Sequence, residues 1–175
     1  GLRPKDVEVR DELTRVMVQV YQGYEEQCQR EGVVDFAELM LRTYELMRDN
    51  AALREHYQHR FRHILVDEFQ DTNKLQYAWL KQLAGGPGGA SHPGEGSSIF
   101  AVGDDDQSIY RWRGARVENL QQYRRDFNDV QLFRLEQNYR STGNILDAAN
   151  AIIGNNSGRI GKKLWTSEGK GAPIR

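Results

Sequence analysis

Three short apolar runs, each followed by a polar cluster, constrain the fold of this chain more than any other feature. We interpret HILVD, SIFAVGD and VQLFRL as buried strands, and they lead into DEFQD, GDDDQSIYRWRG and EQNYRST. Between the runs lie segments with apolar residues at helical spacing, including NKLQYAWLKQL and ARVENLQQYRRDF. Strands that alternate with helices predict an α/β fold with a parallel sheet. Ligands bind such sheets at the carboxyl ends of the strands, where the three polar clusters fall.

Helices are also expected before the first run and after the third. The apolar residues between Asp11 and Gln29 recur at helical spacing, and Gly32 is expected to end that helix. Asp35 followed by Glu38 is a capping-box pattern, which predicts the start of a second helix. Its expected inner stripe consists of Phe36, Leu39, Met40, Thr43, Leu46 and Met47. Shorter helices are expected over ALREHYQH and TGNILDAANAII.

The composition is that of an ordinary water-soluble domain. The 175 residues are 38% hydrophobic and 28% charged. The formal net charge is -1, so the overall charge does not indicate a nucleic-acid partner. The single cysteine, Cys28, excludes an internal disulfide and a cysteine-rich zinc site, and it is compatible with a reducing, cytosolic location. No apolar run approaches the roughly 18 residues that span a bilayer. The Gly-, Ser- and Pro-rich residues 85–98 predict a surface loop.

The first cluster has the residues of a magnesium site. Asp67 and Glu68 follow an apolar run, and paired carboxylates suit Mg²⁺, which prefers hard oxygen ligands. Alternatively, Glu68 can accept a proton from an attacking water molecule. A solvated strand end with helix-capping acids is the plainer interpretation of the two residues taken alone.

The second cluster combines a glutamine with aromatic and basic residues. Gln107 is an uncharged donor and acceptor beyond a predicted strand end, where such a group can orient water or contact a γ-phosphate. Tyr110 and Trp112 alternate with Arg111 and Arg113, which is typical of a stacking platform for single-stranded bases. The alternative is that Trp112 is a core residue and that the arginines pair with the preceding acids.

The third cluster and the C-terminal segment carry further basic and aromatic groups. Arg140 lies between a predicted strand and a helix start, where it can bind a phosphate, and Tyr139 beside it can stack on a base. Pairing of Arg140 with Glu136 at the surface is the alternative. The segment GRIGKKLWTSEGKGAPIR, which contains Trp165, is equally compatible with phosphate contacts and with a solvated loop.

Three motifs together resemble a known family. LVDEFQDTN, VGDDDQSIYRWRGA and LEQNYRSTGNIL resemble motifs II, III and IV of superfamily 1 DNA helicases of the UvrD/Rep/PcrA group, and the similarity extends through NNSGRIGKKLWT and DFAELML. Related recombination helicase-nucleases tend to have Pro-Lys where this chain has Asp105 and Asp106, which favours the helicase II branch. The phosphate-binding pattern G-x-x-x-x-G-K-[ST] does not occur in the sequence.

The resemblance implies a fold, an activity and partners. It implies a partial RecA-like P-loop NTPase fold, with residues 1–31 ending a helical 1B subdomain, 32–134 completing domain 1A and 135–175 beginning domain 2A. It implies an ATP-dependent 3′–5′ DNA helicase that uses ATP and Mg²⁺ and acts on single-stranded DNA and duplex junctions. It also implies DNA-repair proteins as partners and a location in the bacterial cytoplasm, at the nucleoid. The chain is expected to be an inactive fragment, because no phosphate-binding loop is present, and to be able to self-associate through an exposed sheet edge.

The resemblance also implies roles for individual residues. Asp67 and Glu68 correspond to the magnesium-linked acid and the base that activates water, and Gln107 to the γ-phosphate sensor. The remaining assignments are base stacking for Tyr110 and Trp112, coupling for Arg113, adenine stacking for Tyr139 and an arginine finger for Arg140. Arg111 occupies a position where some relatives have glycine, which is expected to alter DNA contact locally.

Two other functions remain open from the residues alone. The first is a metal-dependent nuclease or phosphatase that uses Asp67, Glu68, Asp71 and residues 104–106, which would hold two metal ions about 3.5–4 Å apart. The second is an interaction module that keeps the fold without catalysis.

Overall fold

The computed structural model describes residues 3–85, 97–127 and 130–174, and within these ranges the chain forms six α-helices and two β-strands. The helices are α1 (Glu12–Glu31), α2 (Phe36–Asp49), α3 (Ala51–Arg60), α4 (Lys74–Ala84), α5 (Glu118–Asp126) and α6 (Gly143–Ile153). All of the helices expected from the sequence are present, with ends close to those predicted. None of the helices in the described ranges has the length and apolar character needed to cross a membrane. The predicted loop over residues 85–98 lies almost wholly outside the described residues.

The first two predicted strands are confirmed and pair in parallel. They are β1 (His63–Val66) and β2 (Ser98–Ala101). The N–H of Ser98 donates to the carbonyl of Arg62, and the N–H of Val102 donates to that of Val66, so both chains advance in the same direction. The strands are less buried than predicted, because Ile64 is buried while the next residue, Leu65, is 77% exposed. Burial therefore alternates along β1, as in a sheet that is covered on one face.

The third predicted strand is not formed. Residues 130–135, the VQLFRL segment, adopt no strand, and Phe133 and Leu135 are 72% and 83% exposed. Just after this segment, Gln137 makes a single parallel bridge to Trp165. An extended segment becomes a strand only when a neighbouring strand accepts its backbone hydrogen bonds, and in the described ranges no strand pairs with residues 130–135.

Helix ends follow the predicted capping residues. The Asp11 carboxylate accepts the N–H of Thr14 at the start of α1, and Gly32 ends the helix in the left-handed conformation with φ 67°. Asp35 accepts the N–H of Glu38 at 2.7 Å. The rest of the predicted capping box is wrong, because the Glu38 carboxylate binds Arg3 instead of returning to the N-cap.

The predicted inner stripe of α2 is only partly right. Met47 is 3% exposed, but Phe36, Leu39 and Leu46 are 93%, 51% and 57% exposed. Leu41, which the periodicity did not place inside, is buried. Helix α2 packs on α3 and α4, so the face that these two neighbours cover, and not the most apolar stripe, determines which residues are buried.

The chain divides into two compact units. Unit 1 contains residues 1–64 and 73–100, and unit 2 contains residues 65–72 and 101–175. The buried apolar residues of unit 1 are Leu41, Met47, Ile64, Tyr77, Leu80, Leu83 and Ala84. Unit 2 buries Phe69, Ala115 and Leu146, together with the polar residues Gln70, Thr72 and Asn119. The functional residues predicted from the sequence all fall in unit 2. The predicted domain boundaries near residues 31 and 134 remain a prediction.

A buried arginine organises the first residues of unit 1. Arg3 is 9% exposed, and its guanidinium donates to the carboxylates of Glu25, Glu38 and Glu45 at 2.7–3.1 Å. Hydrogen bonding to Glu45 is the largest effect on Arg3, and it raises the pKa of the guanidinium despite burial. One arginine thus joins α1 to α2 and is shared by three carboxylates, of which Glu38 also pairs with Arg42.

Candidate active site

The first polar cluster begins where β1 ends and the chain turns sharply. Glu68 adopts the left-handed conformation, with φ 48° and ψ 45°, and it is the one non-glycine residue with positive φ in the described ranges. Its N–H donates to the Asp67 carboxylate at 2.9 Å. Phe69, which is completely buried, anchors the 3-10 helix Phe69–Asp71 that follows. The two exposed acids therefore lie on a strained turn that a core residue anchors. The left-handed conformation of a non-glycine residue costs about 1–3 kcal/mol and is common at active sites.

A buried glutamine connects this turn to the second cluster. Gln70 is 1% exposed. Its Nε2 donates to Glu68 Oε2 at 2.7 Å, and its Oε1 accepts the N–H of Asp104 at 2.9 Å. A Cβ at Gly103 would lie 2.7 Å from Gln70 Oε1, so the close approach requires a glycine at that position. Gln70 was not among the predicted site residues, although a glutamine between acids at a strand end was a visible signal.

The GDDDQ segment places Gln107 on a short 3-10 helix, Asp105–Gln107. The Asp104 carboxylate caps this helix by accepting the N–H of Asp106 at 3.1 Å, and it also accepts Nε2 of Gln107 at 2.6 Å. The exposed Gln107 side chain is therefore held through its amide nitrogen. Together with Gln70, these bonds form a continuous path from the Glu68 carboxylate to the Gln107 amide.

The acidic triplet at residues 104–106 is bound by the GRIGKK segment. Lys162 pairs with Asp104, Arg159 pairs with Asp106, and the N–H of Ile160 donates to Asp105 Oδ2 at 2.6 Å. For Arg159 and Lys162 this outcome differs from both roles predicted for the C-terminal segment, nucleic-acid contact and solvation, whereas Lys163 and Lys170 are exposed. Arg111 and Arg113, beside Trp112, are not the partners of these acids. The alternative in which they pair with the preceding acids is therefore wrong.

These contacts set the electrostatics of the triplet. Burial alone raises the pKa of the Asp104 carboxyl, but hydrogen bonds from Lys162 and Gln107 outweigh it, and the net pKa lies below its ordinary value. Hydrogen bonding to Asp106 raises the pKa of Arg159. In the described part of the chain, the triplet is the one group of three acids whose oxygens lie within 4.8 Å of one another. Two of its three carboxylates already bind a cationic side chain and the third binds a backbone N–H, so the triplet does not need a metal ion for charge compensation.

The aromatic and basic residues of the second cluster form an exposed platform. Trp112 is 81% exposed and Tyr110 37% exposed, so the interpretation of Trp112 as a core residue is wrong. The Arg113 guanidinium carbon lies 5.3 Å from the Tyr110 ring centroid and 5.7 Å from that of Trp112, which are cation–π distances. Gly114, with φ 90°, ends the 3-10 helix Arg111–Arg113. The arrangement offers two aromatic faces and a positive charge to a ligand.

The platform is fixed to the end of the first cluster. The N–H of Arg116 donates to the Thr72 carbonyl at 3.0 Å, and Nδ2 of the buried Asn119 donates to the same carbonyl at 2.9 Å. Phe69 contacts the ring of Tyr123 on α5 edge-on, with centroids 5.4 Å apart. Residues 67–72 therefore support the Gln107 loop through Gln70, and through Thr72 they support the residues that follow the platform.

The third cluster is placed differently from the prediction. It does not follow a strand, and the Asn138 carboxamide oxygen instead accepts the N–H groups of Arg140 and Ser141 at 2.9 and 2.7 Å. Tyr139 is 79% exposed, and Arg140 is also exposed. Glu136 accepts the N–H of Lys163, and no pairing of Glu136 with Arg140 is present in the described residues. Within those residues, no hydrogen bond or ion pair joins Tyr139 or Arg140 to the first two clusters.

The family of the chain follows from comparison with known proteins. A model of the UvrD/REP helicase N-terminal domain matches residues 1–128. The chain belongs to the UvrD/REP helicase family. A second model, the UvrD-like helicase C-terminal domain, matches residues 133–175. These matches confirm the resemblance carried by the three motifs.

Individual helicases of this family match along nearly the whole chain. The chain is 53% identical over 175 residues to DNA helicase II of Haemophilus influenzae and to that of Escherichia coli, covering 99% of this chain and 23% of each relative. It is 43% identical over 166 residues to ATP-dependent DNA helicase UvrD1 of Mycobacterium leprae, covering 94% of this chain and 21% of the relative. The chain thus spans about a quarter of the length of these curated relatives.

Proposed function

We propose that this chain is the part of an ATP-dependent DNA helicase that activates water and contacts single-stranded DNA. The observation that carries the proposal is the hydrogen-bonded path Glu68–Gln70–Asp104–Gln107, because it ties a proton acceptor to a water-orienting amide. Family membership supports it, since the relatives named above are DNA helicases. We propose a RecA-like fold, with residues 1–31, 32–134 and 135–175 belonging to subdomain 1B and domains 1A and 2A.

Each residue of the site has a role in the proposed hydrolysis of ATP. Asp67 and Glu68 are exposed carboxylates at a strand end and fit the oxygen preference of Mg²⁺, which when bound would offset phosphate charge. Glu68 accepts the proton of a water that attacks the γ-phosphorus, and Gln107 orients that water. Arg140 provides charge to the γ-phosphoryl group, and Tyr139 stacks on the adenine. The exposure of both residues is compatible with ligand contact.

The aromatic platform supports contact with single-stranded DNA. Tyr110 and Trp112 present π faces that bases of any sequence can stack on, and Arg113 adds a positive charge beside the phosphates. Because residues 67–72 contact both the Gln107 loop and the residues that follow the platform, a change at the nucleotide can be transmitted to DNA. We propose 3′–5′ movement on single strands and at duplex junctions, in DNA repair.

A nuclease that uses the acidic clusters is less compatible with the structure. Such an enzyme needs carboxylates free to bind two metal ions. Asp104 and Asp106 are instead paired with Lys162 and Arg159, and Asp104 also holds Gln107. These contacts give the triplet a supporting function next to the site.

The experiment that tests the proposal is the Glu68→Gln substitution in the complete protein that contains this chain. DNA-stimulated ATP hydrolysis is expected to fall about 100-fold to 10,000-fold, because a general base is lost, while ATP binding is retained. Glu55→Gln, at an exposed glutamate of α3, is the control and is expected to leave hydrolysis unchanged. Unchanged hydrolysis in the Glu68 variant would show that the residue is not the base and favour a non-catalytic module.

A further inference from the structure

Gln70 is a buried polar residue that enters the proposed function only as a link between Glu68 and Asp104. It is 1% exposed in the part of unit 2 that follows β1. Both ends of its carboxamide are used: Nε2 donates to Glu68 and Oε1 accepts from the Asp104 backbone. A carboxylate accepts and an N–H donates, so these partners fix the orientation of the amide without ambiguity. The side chain therefore has one arrangement in which both bonds form.

The surroundings of Gln70 leave it little freedom. Its neighbour Phe69 is fully buried, and the N–H of Phe69 donates to the carbonyl of Val102 at 2.9 Å. Gly103 leaves the room that the Gln70 oxygen occupies. The turn carrying Glu68 and the loop carrying Asp104 are thus fixed to each other by one backbone bond and by two bonds through a single side chain.

We infer that Gln70 is a positioning residue for ATP hydrolysis, whose amide holds the Glu68 carboxylate in a fixed relation to the loop that carries Gln107. The inference rests on the proposed function, because it assigns Gln70 a role at that same site. A shift of the Asp104 backbone displaces the Gln70 oxygen, and the rigid amide passes the displacement to Glu68. Asp104 in turn holds the Gln107 amide, so both groups that act on the water respond together.

Two substitutions of similar size separate the bonds of Gln70. Gln70→Met keeps the length of the side chain and removes both hydrogen bonds. Gln70→Glu keeps an acceptor for the Asp104 N–H but replaces the donor that Glu68 needs with a second carboxylate. Gln121→Met, at an exposed glutamine of α5, is the matched control.

In the complete protein, both Gln70 variants are expected to lower kcat for DNA-stimulated ATP hydrolysis about tenfold to 100-fold, because a small misplacement of a reacting group has effects of that size. The KM for ATP is expected to stay within about twofold, since no contact with the nucleotide is removed. Combined with Glu68→Gln, Gln70→Met is expected to add less than about threefold, because residues that act through one group are not additive. The Gln121 control is expected to retain its kcat.

The outcomes distinguish the inference from the proposed function. If Glu68→Gln abolishes hydrolysis while both Gln70 variants keep their kcat, the positioning role is wrong and the proposed function stands. If Glu68→Gln has no effect, the proposed function fails and the role of Gln70 fails with it. A raised KM with unchanged kcat would also overturn the positioning role.

A second measurement requires neither activity nor a Gln70 variant. In an NMR spectrum of the 175-residue chain, Glu68→Gln is expected to shift the side-chain amide signals of Gln70 and the backbone amide signal of Asp104. Glu55→Gln is expected to leave both signals in place. Unshifted signals in the Glu68 variant would contradict the connection through Gln70.

Discussion

The guanidinium of Arg159 binds the carboxylate of Asp106, 53 residues earlier in the chain, with 2.8 Å between Nε and Oδ1. Lys162 pairs with Asp104 beside it, and Asp104 holds the side chain of Gln107. The GRIGKK segment is therefore structurally connected to the proposed γ-phosphate-contacting amide. A change in the position of this segment is expected to reach Gln107 through Asp104.

Removal of the lysine from this pair is expected to destabilise the chain. The side chains of Lys162 and Asp104 are 18% and 20% exposed, so Lys162→Met leaves a largely buried carboxylate without its cation. We expect the free energy of unfolding in urea to fall by about 1–3 kcal/mol. Lys163→Met changes the exposed neighbouring lysine and is expected to have an effect within about 0.5 kcal/mol. Equal losses in the two variants would contradict a specific ion pair.

The same pair predicts how stability depends on pH. The folded state holds the pKa of Asp104 below its ordinary value of 3.8. The charged groups around this carboxylate are Lys162, Arg159, Asp105 and Asp106. Its contribution to stability is therefore present above pH 3.8 and is lost as the pH falls through the lower folded value. A carboxyl titration followed by NMR is expected to give Asp104 a midpoint below 3.8, and Lys162→Met is expected to raise that midpoint. A midpoint at or above 3.8 in the unchanged chain would show that the pair with Lys162 does not lower the pKa of Asp104.

Local sequence signals predicted most of the fold. Asp11, Gly32 and Asp35 set helix ends through contacts within a few residues, and such contacts can be read from the sequence. The VQLFRL segment has an equally apolar pattern but forms no strand, because strand formation depends on a distant partner. The buried face of α2 was mispredicted for a related reason, since the neighbouring helices decide which side is covered.

The candidate site was predicted in part. The motifs identified the exposed residues Glu68, Gln107 and Trp112, because their residue types and order are characteristic. Two residues that support the site were not predicted: Gln70, which binds Glu68, and Lys162, which pairs with Asp104. Both residues have Asp104 as a partner in another segment, and a single sequence does not show which acid a distant lysine will bind. The burial of Gln70 depends on Gly103, a glycine whose importance appears only when the two loops meet.

Stacking on the aromatic platform is testable through DNA affinity. Trp112→Ala in the complete protein is expected to weaken binding of a labelled single-stranded oligonucleotide by about 1–3 kcal/mol, measured by fluorescence anisotropy. The tryptophan is 81% exposed, so the fold should not change. Phe133→Ala, at a phenylalanine that is 72% exposed, is the control and is expected to bind normally. Undiminished affinity in the Trp112 variant would contradict a stacking role.

The buried arginine of unit 1 gives a prediction independent of the active site. Arg3→Met removes the cation that Glu25, Glu38 and Glu45 share and leaves only Glu38 with another partner, Arg42. The free energy of unfolding of the 175-residue chain is expected to fall by about 1–3 kcal/mol. Arg10→Met breaks an ion pair whose side chains are 77% and 75% exposed, and it is expected to change stability by less than about 1 kcal/mol. Urea denaturation measures both. A larger loss for Arg10 than for Arg3 would show that the three-glutamate cluster does not depend on Arg3.

The most direct test of the central claim is a strand-separation assay with the complete protein on a duplex that carries a single-stranded 3′ tail, with Mg²⁺, in the presence and absence of ATP. We predict that the strands separate only when ATP is present, that both strands stay intact, and that Glu68→Gln abolishes separation. Cleaved strands in the absence of ATP, or separation that needs neither ATP nor Glu68, would contradict the helicase assignment.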